Sequence, residues 1–385
     1  MRIIGLFKPN LNKFILVFAI LSFSSAILFA NEPAKKADSE HADAIVEVQD
    51  SSAVVAENAE ATHENAEEEK FNPSELILEH IADSHDWHLW GHTSLPLPII
   101  LYTPKGLEVF SSSHFHHGEH PYTTANYTYK IEENKIVVLN SANEVDEAAT
   151  KTIIDISITK NVCSLLISVA LLLFIFLSVA NAYKNTVGKA PKGFQSMIEP
   201  IILFVRDDVA KPNLGKKYAK FMPFLLTVFF FIWINNMMGL IPFFPGGANV
   251  SGNIAFTMVL ALVTFIVITV NGGKVYWSHI FAPHVPWWLY PLLVPVEIFG
   301  MFTKPIALMI RLFANITAGH ILVLSLISLI FIFKSAAIAT VAVPFTVFIS
   351  VIELLVAFLQ AYIFTMLAAL FIGMAVEEPH TADHH

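Results

Sequence analysis

Two apolar runs, Trp288 to Phe333 and Ala339 to Ala375, constrain this chain more than anything else in it. A helix needs only ~20 apolar residues to cross the hydrocarbon of a bilayer. At ~1.5 Å per residue these runs would make helices ~55–70 Å long. They must tilt steeply, break, or lie partly in the membrane plane. Pro291, Pro295 and Pro305 are the positions where the first of them could bend. Three shorter runs, about 156–182, 221–241 and 254–270, bring the expected spans to five. Only 14% of residues are charged and the mean hydropathy is +0.60, which places the chain among polytopic membrane proteins. The predicted fold is an all-α polytopic membrane protein with five membrane helices, the last two long and tilted as a hairpin. A cytoplasmic interfacial helix and a small extramembrane N-terminal cap complete it.

The net charge of −9 is segregated. Between Asn31 and Asp155 lie 24 of the 32 acidic residues and only 7 of the 23 basic ones. That segment is solvated, and its sign argues against nucleic-acid binding. The single cysteine, Cys163, lies in an apolar run, so no disulfide framework exists.

Residues 1–30 read as a signal peptide. Arg2, Lys8 and Lys13 precede an apolar run from Phe14 to Phe29, and Ala30 is the expected last residue before cleavage. Residues 31–70 are rich in Ala, Glu, Asp, Ser and Asn and read as a disordered acidic linker. Residues 71–155 gain Trp87, Trp90, a proline-rich turn at Leu95–Pro98 and a strand candidate at Lys135–Leu139; they form the periplasmic cap. The membrane domain is 156–378 and the cytoplasmic tail 379–385.

Basic residues set the orientation. The connector after the first span carries Lys184, Lys189, Lys192, Arg206, Lys211, Lys216, Lys217 and Lys220, so it is cytoplasmic. Met197 to Val209 in that connector is amphipathic and reads as the interfacial helix. Counting spans places the mature N-terminus outside and the C-terminus inside, as in a multi-pass protein of the cell inner membrane.

Ionisable residues inside the two long runs are few: Glu297, Lys304, Arg311 and His320 in one, Glu353 in the other. An arginine at mid-membrane depth costs at least ~2.5–3.5 kcal/mol on insertion scales. It cannot escape by losing its proton, because its pKa stays above ~12. A permanent charge at such a depth must face protein, a polar cavity or a partner. Spacings of seven return to nearly the same helix face, so Glu297, Lys304 and Arg311 form one stripe, with Asn315 beside it one turn on. His320 lies nine residues past Arg311, on the opposite face and ~13 Å further toward the outside. Since the two runs are consecutive and antiparallel, His320 and Glu353 can reach similar depth. A histidine and a carboxylate in a wet cleft suit proton relay; an arginine suits the role of electrostatic barrier. The bland alternatives are an interfacial Glu297–Lys304 ion pair, a satisfied core histidine at 320, and interhelical glue at Gln360.

Arg311-Leu-Phe-Ala-Asn-Ile-Thr-Ala-Gly-His320, followed by Glu353 and Leu359-Gln-Ala-Tyr-Ile-Phe364, resembles subunit a of the membrane sector of F-type ATP synthase. Asn236-Met-Met-Gly-Leu-Ile-Pro242 and Glu297 support it. The resemblance covers roughly 156–378 and leaves out the signal-like segment and most of the cap. It implies a stator subunit, itself without catalytic turnover and without a cofactor, that forms two half-channels for protons against a rotating ring of c subunits. By analogy Arg311 faces the ring carboxylate, Gln360 sits opposite Arg311, and His320 and Glu353 line the outer half-channel. Glu297 lines the inner one; Asn235, Asn236 and Lys304 are weaker lining candidates. Implied partners are the c-ring, the peripheral-stalk b subunits, the rest of the synthase and membrane lipid. Some family members carry the His and Glu of the outer pair the other way round. No Gly-x-x-x-x-Gly-Lys phosphate loop is present.

Two other classes remain open from the residues. A secondary antiporter would show paired repeats, and no duplicate of the Arg311 segment is found. A metal-handling protein would use His114, His116, His117 and His120, whose spacing suits zinc or nickel.

Overall fold

The computed structural model describes residue 77 and residues 81–376, apart from 91–92, 119, 133, 186–189, 242–243 and 284. The signal-like segment, the acidic linker and the 379–385 tail read from the sequence lie outside the described residues.

The cap is built from short antiparallel pairings. β1 (Asp86–Trp90) pairs with β2 (Thr93–Pro96). β3 (Pro98–Thr103) lies between β4 (Gly106–Ser111) and β8 (Ile154–Asp155). β5 (Tyr122–Thr123), β6 (Thr128–Glu132) and β7 (Lys135–Leu139) form a third sheet, and β7 is the strand read in the sequence. Alternation along β3 turns Ile99 and Leu101 inward, where they meet Phe115, Tyr129 and Val138. Helix α1 (Glu147–Thr152) starts at Asp146, whose carboxylate accepts from the Ala149 amide at 3.0 Å.

The first membrane helix, α2 (Lys160–Asn185), begins four residues later than the apolar run that foretells it. Ile156 and Ile158 are apolar, but their amides donate to Ile100 O (2.9 Å) and Pro98 O (3.1 Å) of β3. Sheet pairing claims those donors before a helix can form. After α2 the chain folds back through α3 (Phe194–Phe204), a π-helical segment Val205–Ala210 and two short turns to Lys217. The amphipathic reading of Met197 to Val209 holds in detail: Ile198, Ile202, Val205 and Val209 are buried, while Arg206 pairs with Asp207 at 2.7 Å.

α4 (Tyr218–Leu240) is the hub of the membrane domain. It is apolar on all sides, and such helices end up enclosed; Phe229, Phe230 and Phe231 are fully buried. α5 (Ile254–Asn271) opens on an Asn253 cap that accepts from Ala255 N at 2.7 Å, and α6 (Lys274–Phe281) follows it. Then come α7 (Tyr290–Phe333) and α8 (Ala336–Val376), joined by a two-residue turn with Lys334 left-handed. Pro295 and Pro305 sit inside α7 without breaking it, and Pro291 falls in its first turn, where a missing amide costs nothing. At ~66 and ~62 Å these two helices exceed a ~30 Å hydrocarbon slab twofold. Remaining unbroken, they must run obliquely.

α8 reaches α4 through small residues. Ala357, Ala361, Thr365 and Ala369 recur every four residues and are buried, a spacing that lets backbones close in. Gly373 continues the series, and a Cβ there would collide with Asn213 O. Most of α7 and α8 is nonetheless uncovered: Phe299, Phe302, Ile306 and Ile310 on one and Phe348, Val351 and Leu355 on the other are exposed. Among the described residues, five helices are long and apolar enough to cross a membrane.

Candidate functional site

A small, partly open pocket lies between α4, α7 and α8. α4 supplies Asn236 and Leu240, α7 supplies Asn315, Ile316 and His320, and α8 supplies Glu353, Val356 and Ala357. Antiparallel packing of α7 on α8 thus brings His320 and Glu353 to the same depth. Two glycines lie against them. A Cβ on Gly319 would collide with Glu353 Oε1, and one on Gly239 would stand 3.6 Å from His320 Nε2. At Gly319 the bare backbone is what admits the carboxylate, while at Gly239 a side-chain carbon would only touch the imidazole.

The asparagines separate. Asn236 donates to Ala357 O at 3.1 Å, across the narrow gap that an alanine permits. Its Oδ1 is buried without a partner, an acceptor that a water in the pocket would satisfy. Asn235 turns back on its own helix, donating to Phe231 O at 2.8 Å, and does not line the pocket. Asn315, read from the sequence as part of the arginine's stripe, also lines the pocket. It stands one turn from Arg311, ~6 Å along the axis, so the pocket and the arginine occupy successive turns of α7.

Arg311 itself is exposed on α7 and, among the described residues, has no ion pair and no hydrogen bond. Leu308 and Leu312 beside it are buried, whereas Ala307, Ile310 and Ala314 share its open surface. A fixed positive charge therefore stands on an uncovered apolar face. Gln360 is buried at 5% exposure, and no hydrogen bond joins it to Arg311.

The Glu297–Lys304 ion pair considered from the sequence is absent among the described residues. Lys304 Nζ lies instead over the Phe371 ring, 5.4 Å from its centroid. Glu297 raises the pKa of Tyr276 on α6, a phenol already pushed up by burial. Tyr276 was not foreseen; it follows the Gly272–Gly273 turn, outside every apolar run, and only the fold carries it toward α7. In the cap, His114 stacks on Tyr122 at 4.4 Å between centroids. The side chains of His116 and His117 lie outside the described residues, and no candidate metal cluster occurs among those described.

A family model described as ATP synthase A chain matches residues 162–373. A second, described as a domain of unknown function, matches 76–156, which is the cap. The chain is 49% identical over 237 residues to an ATP synthase subunit a of Chloroherpeton thalassium, covering 60% of this chain and 70% of that protein. It is 50% identical over 237 residues to ATP synthase subunit a 2 of Prosthecochloris aestuarii, covering 60% and 72%. With ATP synthase subunit a of Myxococcus xanthus it shares 44% over 239 residues, covering 60% and 77%.

Proposed function

The chain belongs to the ATP synthase A chain family, and from that premise we propose which of its residues move protons and which forbid their passage. The protein is a multi-pass membrane component of the proton-translocating sector, a channel-forming stator. The observation that carries the assignment of roles is the unpartnered, permanently charged Arg311 on the open face of α7, one turn from the pocket of His320 and Glu353.

That open face of α7 and α8 takes the c-subunit ring. A ring carboxylate arriving there meets Arg311, a fixed positive charge one turn from the pocket, and is held ionised beside it. His320 and Glu353, with Asn236 and Asn315, form the half-channel on the cap side and exchange protons with that carboxylate. Glu297, with Tyr276 near it, opens the other half-channel. Arg311 cannot pass a proton on, so the two halves stay insulated unless the ring turns. Crossing 100 mV is worth ~2.3 kcal/mol per proton, so several protons drive each ATP made elsewhere in the complex. Lys304, capped by the Phe371 ring, ties α7 to α8, Asn235 bonds its own helix, and neither carries a proton, while buried Gln360 takes the place opposite Arg311. The subunit has no catalytic turnover of its own. It sits in the cell inner membrane, cap outside and C-terminus in the cytoplasm, and engages the peripheral-stalk b subunits besides the ring.

The test is ATP-driven acidification of inverted vesicles that contain the intact complex, wild type against Arg311→Ala. Pumping is abolished in the variant at normal assembly, and the membrane leaks protons. Wild-type pumping by Arg311→Ala would remove the barrier role.

A further inference from the structure

Among the described residues the cap is fastened to the membrane domain at two places, and the second of them bears on the loop beside the pocket. The first fastening is polar. Ser84 O accepts from the Lys160 amide at 2.8 Å, Asp83 Oδ1 accepts from the Asn161 amide at 2.9 Å, and Lys160 Nζ donates to Ala82 O at 3.1 Å. The open amides at the start of α2 are thus capped by a segment 78 residues earlier in the chain. His85 bonds Asp155 at 3.3 Å beside them. This end of the cap cannot shift without uncapping a membrane helix.

The second fastening is a single ring. Trp87, at the start of β1, is 2% exposed and is the one cap residue, among those described, in the buried apolar cluster of the membrane domain. Its ring meets Phe244 edge-on, centroids 5.1 Å apart. Phe244 belongs to the α4–α5 loop, whose Ala248 and Val250 lie in the same buried cluster. That loop in turn is bonded to two of the helices that wall the pocket. Gly252 O accepts from Thr317 Oγ1 of α7 at 3.2 Å, and Gly247 donates to Met238 O of α4 at 3.2 Å. A Cβ on Gly239 would meet Ala248 O at 3.4 Å on one side and His320 Nε2 at 3.6 Å on the other. Loop carbonyl and imidazole therefore flank the same bare backbone.

We propose that the cap is a clamp on the loop beside the cap-side half-channel, and that Trp87 is a positioning residue for the His320–Glu353 pocket. The polar fastening to α2 supplies the fixed end; Trp87 transmits it to the α4–α5 loop; Thr317 and Gly239 pass it to α7 and α4. The described part of that loop is seated by its neighbours: Ala248, Val250 and Ser251 are buried, and Gly246 and Gly252 leave no room for a side chain. With that loop unseated, the pocket would vary in width and in the spacing of its two titratable groups, since α4 contributes no charged residue to it. The matched cap region and the matched channel region would then be one working unit.

This proposal rests on the pocket being a proton half-channel, and the experiment separates the two. Trp87→Ala, Trp87→Phe, Phe244→Ala and His320→Ala are each made in the full complex, in a Cys163→Ser background that also carries Ser251→Cys as a probe of the loop. Ser251 is 2% exposed. Expected for Trp87→Ala and Phe244→Ala is at least a fivefold fall in ATP-driven pumping at unchanged assembly. A shifted pH profile of pumping and at least tenfold faster thiol labelling at position 251 should accompany it, and Trp87→Phe should restore all three. If both alanine variants pump, titrate and resist labelling like wild type while His320→Ala is dead, the clamp is wrong and the half-channel stands. If His320→Ala pumps normally, the half-channel reading fails, and the clamp with it. Should Trp87→Ala not assemble, Phe244→Ala, which removes the other half of the same contact, decides alone.

Discussion

The carboxylate of Glu353 fills the space that a side chain on Gly319 would need: a Cβ there would collide with Oε1 and stand 3.2 Å from Cδ. The histidine that shares its pocket is the next residue along α7. Gly319 thus places a missing side chain beside a present one, and the carboxylate of α8 enters the gap.

Gly319→Ala should leave the protein folded but poorly coupled. Glycine within a helix costs ~1 kcal/mol relative to alanine, so the substitution gains helix propensity. The clash is with the far end of a flexible side chain, which can swing away. What is lost is the carboxylate's position against α7. Vesicles with this variant should show wild-type amounts of assembled complex and pumping reduced roughly tenfold or more, the scale of a displaced proton-transfer group. Normal pumping would mean that Glu353 works equally well elsewhere in the pocket.

How far the sequence reveals this site depends on what each residue does. A charge in an apolar run is visible because nothing else explains it, so Arg311, His320 and Glu353 stand out from the amino-acid order alone. Helix periodicity then fixes relative faces along one helix, as with the opposition of Arg311 and His320. It does not say how far a pocket spreads, and Asn315, 40° round from Arg311 on an ideal helix, turns out to line the pocket. Asn235 and Asn236 are equal candidates in sequence; 100° of rotation sends one to its own backbone and the other to α8. Gly319 acts by what it leaves empty, and one sequence gives no signal of empty space. Trp87 reads as an ordinary cap aromatic, because its partner Phe244 lies 157 positions away and only docking brings them together. The cap's sheets are similarly dim: the described strands are six residues or fewer, and the six-residue β3, though it alternates in burial, is apolar on both faces in sequence, so its pairing with the two-residue β8 shows only in the fold.

Exchanging His320 and Glu353 for one another should be milder than losing either. The two line one pocket from facing helices, so a His320→Glu, Glu353→His double variant keeps one imidazole and one carboxylate at the same depth. Single alanine substitutions should each lower pumping by roughly 10²-fold, the contribution of one positioned acid or base. The exchanged pair should recover most of that. Equal inactivity of all three variants would show that position, rather than the pair's joint chemistry, decides.

The cap's hold on α2 should weaken in acid through Asp155. Burial favours the protonated acid here, but the hydrogen bond and charge of His85 and two hydrogen bonds from Ser157 outweigh it, so the pKa lies below the usual 3.8. For a carboxylate held low in the folded state, the stabilisation is present above the unfolded value and is lost as pH falls through the folded one. Thermal unfolding of the intact protein in detergent, followed by tryptophan fluorescence, should therefore show a drop in the transition of the cap below about 3.8. Asp155→Asn keeps the shape and loses the charge. It should lower the cap's stability at pH 7 by about 1.5–3 kcal/mol, the range for a hydrogen bond to an ionised group, and abolish the acid dependence. An unchanged acid limb in Asp155→Asn would assign the effect to another carboxylate and leave the His85 contact without a stabilising role.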